Sequence, residues 1–211
     1  MKEQAKQIIE FLTFSEKLKT QKRDCFLSNG KLESVADHSW HLALMAIIVH
    51  PHLEAPVDLL RALKMVAIHD LTETELGDIP YSHAYENKDL KADKAKKELE
   101  EIEKIKNKLG GQAGQEIYDL WHEYEKRECP ESKFVKALDS MEPNLQGLLT
   151  GDISYWDDVY YPICYSKADK HCKHEEILSA LNEEIKDRTD PEMIKIGLDP
   201  EEMRRKAREM Y

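Results

Sequence analysis

Apolar residues recur at helical spacing along most of the chain. Ile8, Ile9, Leu12, Phe14 and Leu18 give a rough apolar face to a helix expected over residues 3–19. The periodicity lapses between residues 20 and 33, where Asn29-Gly30 is a turn signal, so that stretch is expected to be a loop. Ser34, with Asp37 three residues on, has the form of a capping box. The helix it opens carries His38, His41, Leu42, Leu44, Met45, Ile47, Ile48 and Val49. It is apolar nearly all round and is expected at the centre of the fold. Pro51 and Pro56 punctuate the next connection, and Pro56 suits the first position of a helix. Leu59, Leu60, Leu63, Met65, Val66, Ala67 and Ile68 make that helix mostly buried.

Residues 81–88 are polar and are expected to loop. From 89 to 109 the chain is rich in Lys and Glu, with a narrow stripe of Ala95, Leu99, Ile102, Ile105 and Leu109. This predicts a solvated amphipathic helix laced by i,i+4 pairs and ended by Gly110-Gly111. A further helix is expected over 113–127, with Ile117, Leu120, Trp121 and Tyr124 inward. Cys129-Pro130 starts the next, where Phe134, Val135, Ala137, Leu138 and Met141 surround Asp139, and Pro143 should kink or end it. Residues 150–169 read as irregular and aromatic (Tyr155, Trp156, Tyr160, Tyr161, Tyr165). A helix over 171–187 follows. Pro191, Gly197 and Pro200 then mark a link to a charged terminal helix. The expectation is an all-α bundle of six or seven helices over residues 1–188, with 189–211 as link and C-terminal helical extension.

Composition narrows the function. The 211 residues carry a net charge of −11, which argues against nucleic acid as partner, because that binding is driven by cationic contacts. A small phosphorylated ligand held by a metal is compatible with it. The longest apolar run, near Leu42–Val49, is too short to span a bilayer, so no membrane partner is expected. Cys25, Cys129, Cys164 and Cys172 show no CxxC spacing. With no signal peptide apparent, reduced thiols in a cytoplasm are the expectation.

The candidate chemistry lies where ionisable groups interrupt apolar helices, at His38, His69, Asp70 and Asp139. A buried charge needs a partner, and one shared divalent ion would satisfy all four. Two imidazoles with two carboxylates suit Mn, Fe, Co, Ni or Zn rather than Ca or Mg. Glu73 lies four residues after His69 and three after Asp70, on the same face if the helix continues. There it could handle the attacking water or protonate a leaving oxygen. Asp78, at a turn behind Gly77, is placed to touch a substrate. His41 reads as a hydrogen-bonding pocket residue. His171-Cys172-Lys173-His174 reads as an exposed charged segment, and His50, His52, His83 and His122 as surface residues.

Four segments taken together are similar to the HD-domain metal-dependent phosphohydrolases. These are Ser34-Val35-Ala36-Asp37-His38-Ser39, His69-Asp70-Leu71-Thr72-Glu73, Gly77-Asp78-Ile79-Pro80 and Lys136-Ala137-Leu138-Asp139. More narrowly they resemble the branch that includes bacterial 5′-deoxynucleotidases. The resemblance implies an HD-type helical bundle and His38, His69, Asp70 and Asp139 as ligands of one divalent transition metal. It implies Glu73 as the catalytic acidic residue, Asp78 as a catalytic residue near the sugar, and Arg23 as a phosphate contact. It also implies a homodimer, for which the aromatic 150–169 stretch is a candidate contact surface. The implied reaction is hydrolysis of a (deoxy)nucleoside 5′-monophosphate to nucleoside and phosphate. The alternatives are a nucleotide pyrophosphohydrolase or phosphodiesterase, which needs a basic cluster not visible near the motif, and a non-catalytic metal-containing nucleotide-binding module. In one respect the chain departs from its relatives. They carry a tryptophan of the sugar pocket where this chain has Asp24, and Phe26 or Trp40 is the candidate replacement.

Overall fold

The computed structural model describes residues 1–78, 88–150 and 157–210. Ile79-Pro80, the polar stretch after them, Tyr155 and Trp156 lie outside the described residues. The chain opens with α1 (Lys2–Ser15) and a 3-10 turn, Glu16–Lys19. Its buried stripe is narrower than the sequence suggests. Phe11 is buried, with Phe14 and Leu18 packed on the core, while Ile8, Ile9 and Leu12 are exposed. Positions 11, 14 and 18 share one helical face, and 8, 9 and 12 lie beside it.

The expected loop over 20–33 is instead a hairpin. Strand β1 (Lys22–Phe26) pairs antiparallel with β2 (Leu32–Ser34), and Gly30 takes the left-handed turn position at φ 76°. The charged run Lys22-Arg23-Asp24 hides the alternation that would have marked a strand.

Helix α2 (Val35–Val49) begins at the expected box. Ser34 Oγ accepts from the Asp37 amide at 3.1 Å, and an Asp37 carboxylate oxygen accepts from the Ser34 amide at 2.9 Å. It is not apolar-buried all round. His38, Leu42, Met45, Ala46 and Val49 face inward, and Trp40, Leu44, Ile47 and Ile48 are exposed. Helix α3 (Leu59–Ile68) starts after Pro56, because Asp58 caps it by accepting from the Arg61 amide.

One turn of helix, α4 (Glu73–Leu76), precedes α5 (Lys88–Leu109) and α6 (Gly111–Lys126). These two approach closely at Gly114, where a Cβ would lie 2.4 Å from the Lys106 carbonyl oxygen. Helix α7 (Pro130–Thr150) continues through Pro143, which removes one ladder bond without ending it.

Part of the aromatic stretch is helical. Helix α8 (Tyr160–Cys172) buries Tyr161, Cys164, Tyr165, Ala168 and Cys172, and it packs on α7. The helix expected over 171–187 is α9 (Glu176–Lys195), which runs through Pro191. Helix α10 (Pro200–Arg208) is capped by Asp199, with Pro200 in its first turn, and packs on α8.

The fold class is all-α, as expected, with more helical segments among the described residues than six or seven. The main core gathers α1, α2, α3, α5, α6 and α7, with Cys172 of α8 and Leu178 and Ile185 of α9. A second cluster joins Cys25 of β1 to Tyr161, Tyr165, Met193, Met203 and Ala207.

Candidate active site with a metal-ligand cluster

Helix α2 delivers His38, the end of α3 delivers His69 and Asp70, and the middle of α7 delivers Asp139. The helix does not continue from His69 to Glu73. After Ile68 the chain tightens into turns, with the Leu71 amide donating to Ile68 and the Glu73 amide to Asp70. Glu73 then opens α4 and is buried all the same.

Ligating atoms of His38, His69 and Asp139 lie within 4.8 Å of one another. His38 Nε2 is 3.4 Å and His69 Nε2 4.0 Å from Asp139 Oδ1, and His69 Nε2 is 3.1 Å from Asp70 Oδ2. Donors that share one ion at about 2.0–2.2 Å are separated in this way. The remaining ring nitrogens are committed elsewhere. His38 Nδ1 meets Glu142 Oε2 at 2.7 Å, and His69 Nδ1 meets the Val66 carbonyl at 2.8 Å. Each Nδ1 thus carries the proton, and each Nε2 presents its lone pair to the centre. His38 Nε2, His69 Nε2 and Asp70 Oδ2 are buried and satisfy no hydrogen bond among the described residues. Three converging buried acceptors are costly unless a cation lies among them, so these residues fit a divalent metal.

Electrostatics separates the carboxyls. Burial would raise Asp70, but the imidazoles of His69 and His38 hold it below the usual carboxylate range. Burial is likewise outweighed at Asp139, where Lys136 and Lys167 hold the carboxyl well down. Asp139 Oδ2 accepts from Lys136 Nζ at 2.7 Å and from the Tyr124 hydroxyl at 3.0 Å, leaving Oδ1 to face the histidines. Glu73 goes the other way. Burial, then the charges of Asp70 and Asp78, push its carboxyl well above the usual range. Asp78 is raised by burial, with Arg23 opposing.

Arg23 is no solvated loop residue. Its side chain is 11% exposed, its Nε donates to Glu33 Oε2 at 3.0 Å, and its Nη1 lies 3.6 Å from Asp70 Oδ2. A fixed positive charge therefore sits directly beside the ligand cluster.

The family profile described as the HD domain matches residues 15–187. The chain belongs to the HD-domain family. Among curated proteins it is 32% identical to a 5′-deoxynucleotidase of Xenopus laevis, over 85% of this chain and 88% of that one. It is 35% identical to a 5′-deoxynucleotidase of Dictyostelium discoideum, over 65% and 74% respectively. Among solved structures, a predicted metal-dependent phosphohydrolase from Magnetospirillum magnetotacticum superposes with a TM-score of 0.72 at 26% identity. That match covers 93% of this chain and 99% of the other.

In this HD-domain chain several site residues escape the sequence reading. Glu142 accepts from His38 and, at 3.0 Å, from His41, which is a hydrogen-bonding residue as expected. Its place three residues after Asp139, inside an apolar helix, was the available signal. Glu33 pairs with Arg23, and its carboxyl is pushed up to about 7 by burial and by Glu142. Basic side chains besides Arg23 act on these acids. Lys94 of α5 acts on Glu73, Asp70 and Asp78, while Lys136 and Lys167 act on Asp139. These cations come from helices far apart in sequence, so no local motif displays them. Trp40 is exposed on α2. Tyr160 of α8 meets Asp24, donating its hydroxyl to Asp24 Oδ2 at 2.9 Å. The segment after residue 150 thus meets β1 at Asp24 and, through Lys167, acts on Asp139.

Proposed function

We infer that the protein is a divalent-metal-dependent phosphohydrolase that cleaves nucleoside 5′-monophosphates, of ribose or deoxyribose, to nucleoside and phosphate. The observation that carries this reading is the convergence of His38 Nε2, His69 Nε2 and Asp70 Oδ2, all buried and without a hydrogen bond among the described residues, beside the guanidinium of Arg23. The deoxynucleotidase names of relatives near 30–35% identity support the substrate class.

His38, His69, Asp70 and Asp139 would hold the ion, with Mn, Fe, Co, Ni and Zn the candidates that two imidazoles favour. Such an ion supplies Lewis acidity to a phosphoryl oxygen and lowers the pKa of water. The protein's own residues do the rest. Arg23 neutralises phosphate charge and fixes the phosphate's orientation. Glu73, whose carboxyl holds its proton above the usual range, gives that proton to the leaving sugar oxygen as water attacks phosphorus and the P–O bond breaks, and the proton that the water gives up restores Glu73. Asp78 contacts the sugar side and shares the proton handling. Lys136 and Tyr124 keep Asp139 Oδ1 aimed inward.

The test is phosphate release from ribo- and deoxynucleoside monophosphates after chelation and restoration of each metal. Glu73→Ala should retain metal and lose at least about a thousand-fold in kcat. Release of pyrophosphate from triphosphates, or opening of cyclic nucleotides, would favour the second reading, for which Lys94 and Lys167 provide charge. Metal binding with no turnover on any of these would instead make the protein a binding module.

The protein also acts, in this reading, as a cytoplasmic homodimer. No helix of the described residues is long and apolar enough to cross a membrane, and all four cysteines are free. The outward stripe of Trp40, Leu44, Ile47 and Ile48 on α2 supports a contact with a second copy. The 150–169 stretch offers less than expected, since Tyr161 and Tyr165 are buried. Sedimentation of wild type against Trp40→Asp tests this, with a dimer-to-monomer shift expected.

A further inference from the structure

We propose that the cavity between α8, α9 and α10 is a second ligand site, built for a small hydroxy acid: Arg208 takes the ligand's carboxylate at the rim, and Asn182 accepts from its hydroxyl inside. The cavity shares no residue with the metal-ligand cluster, so the proposal stands apart from the nucleotidase reading.

The cavity holds about 240 Å³, a little under the ~300–1,000 Å³ of sites for drug-sized ligands, so its occupant is small. Asp169 and Cys172 of α8, Asn182 and Lys186 of α9, and Arg204 and Arg208 of α10 line it. The two arginines lie beyond residue 187, where the HD-domain match ends. Packed helices usually turn apolar stripes toward one another. Here Asn182 is 2% and Lys186 3% exposed, and groups of this kind are buried only with partners. Lys186 has them, since it donates to Asp169 and, at 2.7 Å, to Glu183 Oε1. Asn182 is half provided for. Its Nδ2 donates to Asp169 Oδ1 at 2.6 Å, and because a carboxylate only accepts, that bond fixes which end of the amide is which. Its Oδ1 is buried and accepts no hydrogen bond among the described residues. Arg204 is in the same position. Its Nη1 donates to Glu183 at 3.0 Å and its Nη2 to Asp187 at 2.7 Å and Asp190 at 2.8 Å. Its buried Nε donates to nothing among the described residues. Two residues that line one cavity, from two different helices, thus keep an acceptor and a donor without partners.

Charge narrows the class of ligand. Lys186 is matched by Asp169 and Glu183, and Arg204 by Glu183, Asp187 and Asp190. Arg208, exposed at the rim, forms no ion pair among the described residues. A free guanidinium fork suits one carboxylate, which it binds through two N–H groups. A phosphate dianion would set a second negative charge against Asp169 and Glu183, and an amine would meet Arg208. A hydroxyl supplies the proton that Asn182 Oδ1 lacks, and its oxygen accepts from a donor such as Arg204 Nε. One carboxylate with a neighbouring hydroxyl is therefore the complement of this lining.

The experiment is nitrogen-correlated NMR of the full chain loaded with zinc, following the Asn182 side-chain amide and the Arg204 Nε–H. The probes are glycerate and gluconate, with propionate (no hydroxyl), glycerol (no carboxylate) and inorganic phosphate as contrasts. Glycerate or gluconate should shift both signals saturably, and each contrast should bind about ten-fold or more weakly. Arg208→Gln, at an exposed position, should keep the fold and weaken the hydroxy acid about ten-fold or more. Asn182→Ala should weaken it as well, provided its Tm shows a folded protein. The proposal is overturned if neither hydroxy acid shifts these signals, which leaves the cavity to water alone. Shifts confined to His38 and His69, from contact with the zinc, overturn it too. So do contrasts that bind as tightly as glycerate, or an affinity that Arg208→Gln leaves unchanged. None of these outcomes bears on phosphate release, so the nucleotidase reading stands or falls separately.

Discussion

Glu142 carries the most exposing test of the site, because it touches no expected substrate and yet should control the metal. It is fully buried and accepts from His38 Nδ1 at 2.7 Å and His41 Nδ1 at 3.0 Å. Burial would raise its carboxyl, but His38, His41 and Arg23 bring it down to about 2 from 4.5. That difference corresponds to about 3 kcal/mol of stability. The carboxyl is depressed in the folded state, so this contribution is present above the unfolded value of 4.5 and lost as the pH falls through about 2. Glu142→Ala removes the acceptor of the buried His38 ring N–H, which costs about 1–3 kcal/mol when unsatisfied, and that of the half-buried His41, which costs less. The two routes agree on a loss of roughly 2–5 kcal/mol in urea denaturation. Metal affinity should fall about 10- to 100-fold, since His38 loses the partner that selects its Nδ1–H tautomer. Glu142→Gln keeps one acceptor and should fall between wild type and alanine. The assays are calorimetric titration of the chelated protein with Zn or Mn, and nitrogen-correlated NMR of the His38 tautomer. An alanine variant that binds metal as wild type does, with His38 still protonated at Nδ1, would refute the reasoning.

Three further outcomes follow from the same geometry. Asp139→Ala should abolish metal retention, measured by elemental analysis of the purified protein, because it removes a proposed ligand and leaves Lys136 Nζ, now without its 2.7 Å partner, beside the site. At His38, burial and Arg23 lower the pKa, and Glu142 and Asp139 more than offset them, raising it to about 9 from 6.5. Its protonated form therefore stabilises the metal-free fold fully below about 6.5, and that contribution vanishes as the pH rises through about 9. Metal uptake should release this proton, so apparent affinity should climb by up to about ten-fold per pH unit below 9, and a flat profile contradicts the assignment. Gly114→Ala drives a Cβ to 2.4 Å from the Lys106 carbonyl and should cost about 1–3 kcal/mol, lowering Tm by several degrees in calorimetry.

The sequence failed at particular places for identifiable reasons. Periodicity found the helices whose buried stripe is strong, and the Ser34–Asp37 box was readable because both partners are local. The hairpin was missed because its strands are short and charged. Helix α8 was missed because aromatic and β-branched residues obscure helical propensity, although Tyr161 and Tyr165 lie one turn apart on its buried face. Trp40, Leu44, Ile47 and Ile48 looked like core because hydropathy cannot tell a buried face from an uncovered one.

By itself, the sequence determined the helical class, the capping of α2 and the residues with the right donor chemistry at His38, His69, Asp70, Glu73 and Asp139. Side-chain chemistry and local spacing are carried by neighbours in the chain, so they can be read there. Only the tertiary structure decided which nitrogen of each histidine faces the centre, because Glu142 lies 104 residues from His38. It alone placed Lys94 and Lys167 around the acids and set Tyr160 against Asp24, 136 residues away. Tautomer, charge and specificity depend on distances between side chains, and those distances exist only once the helices have packed.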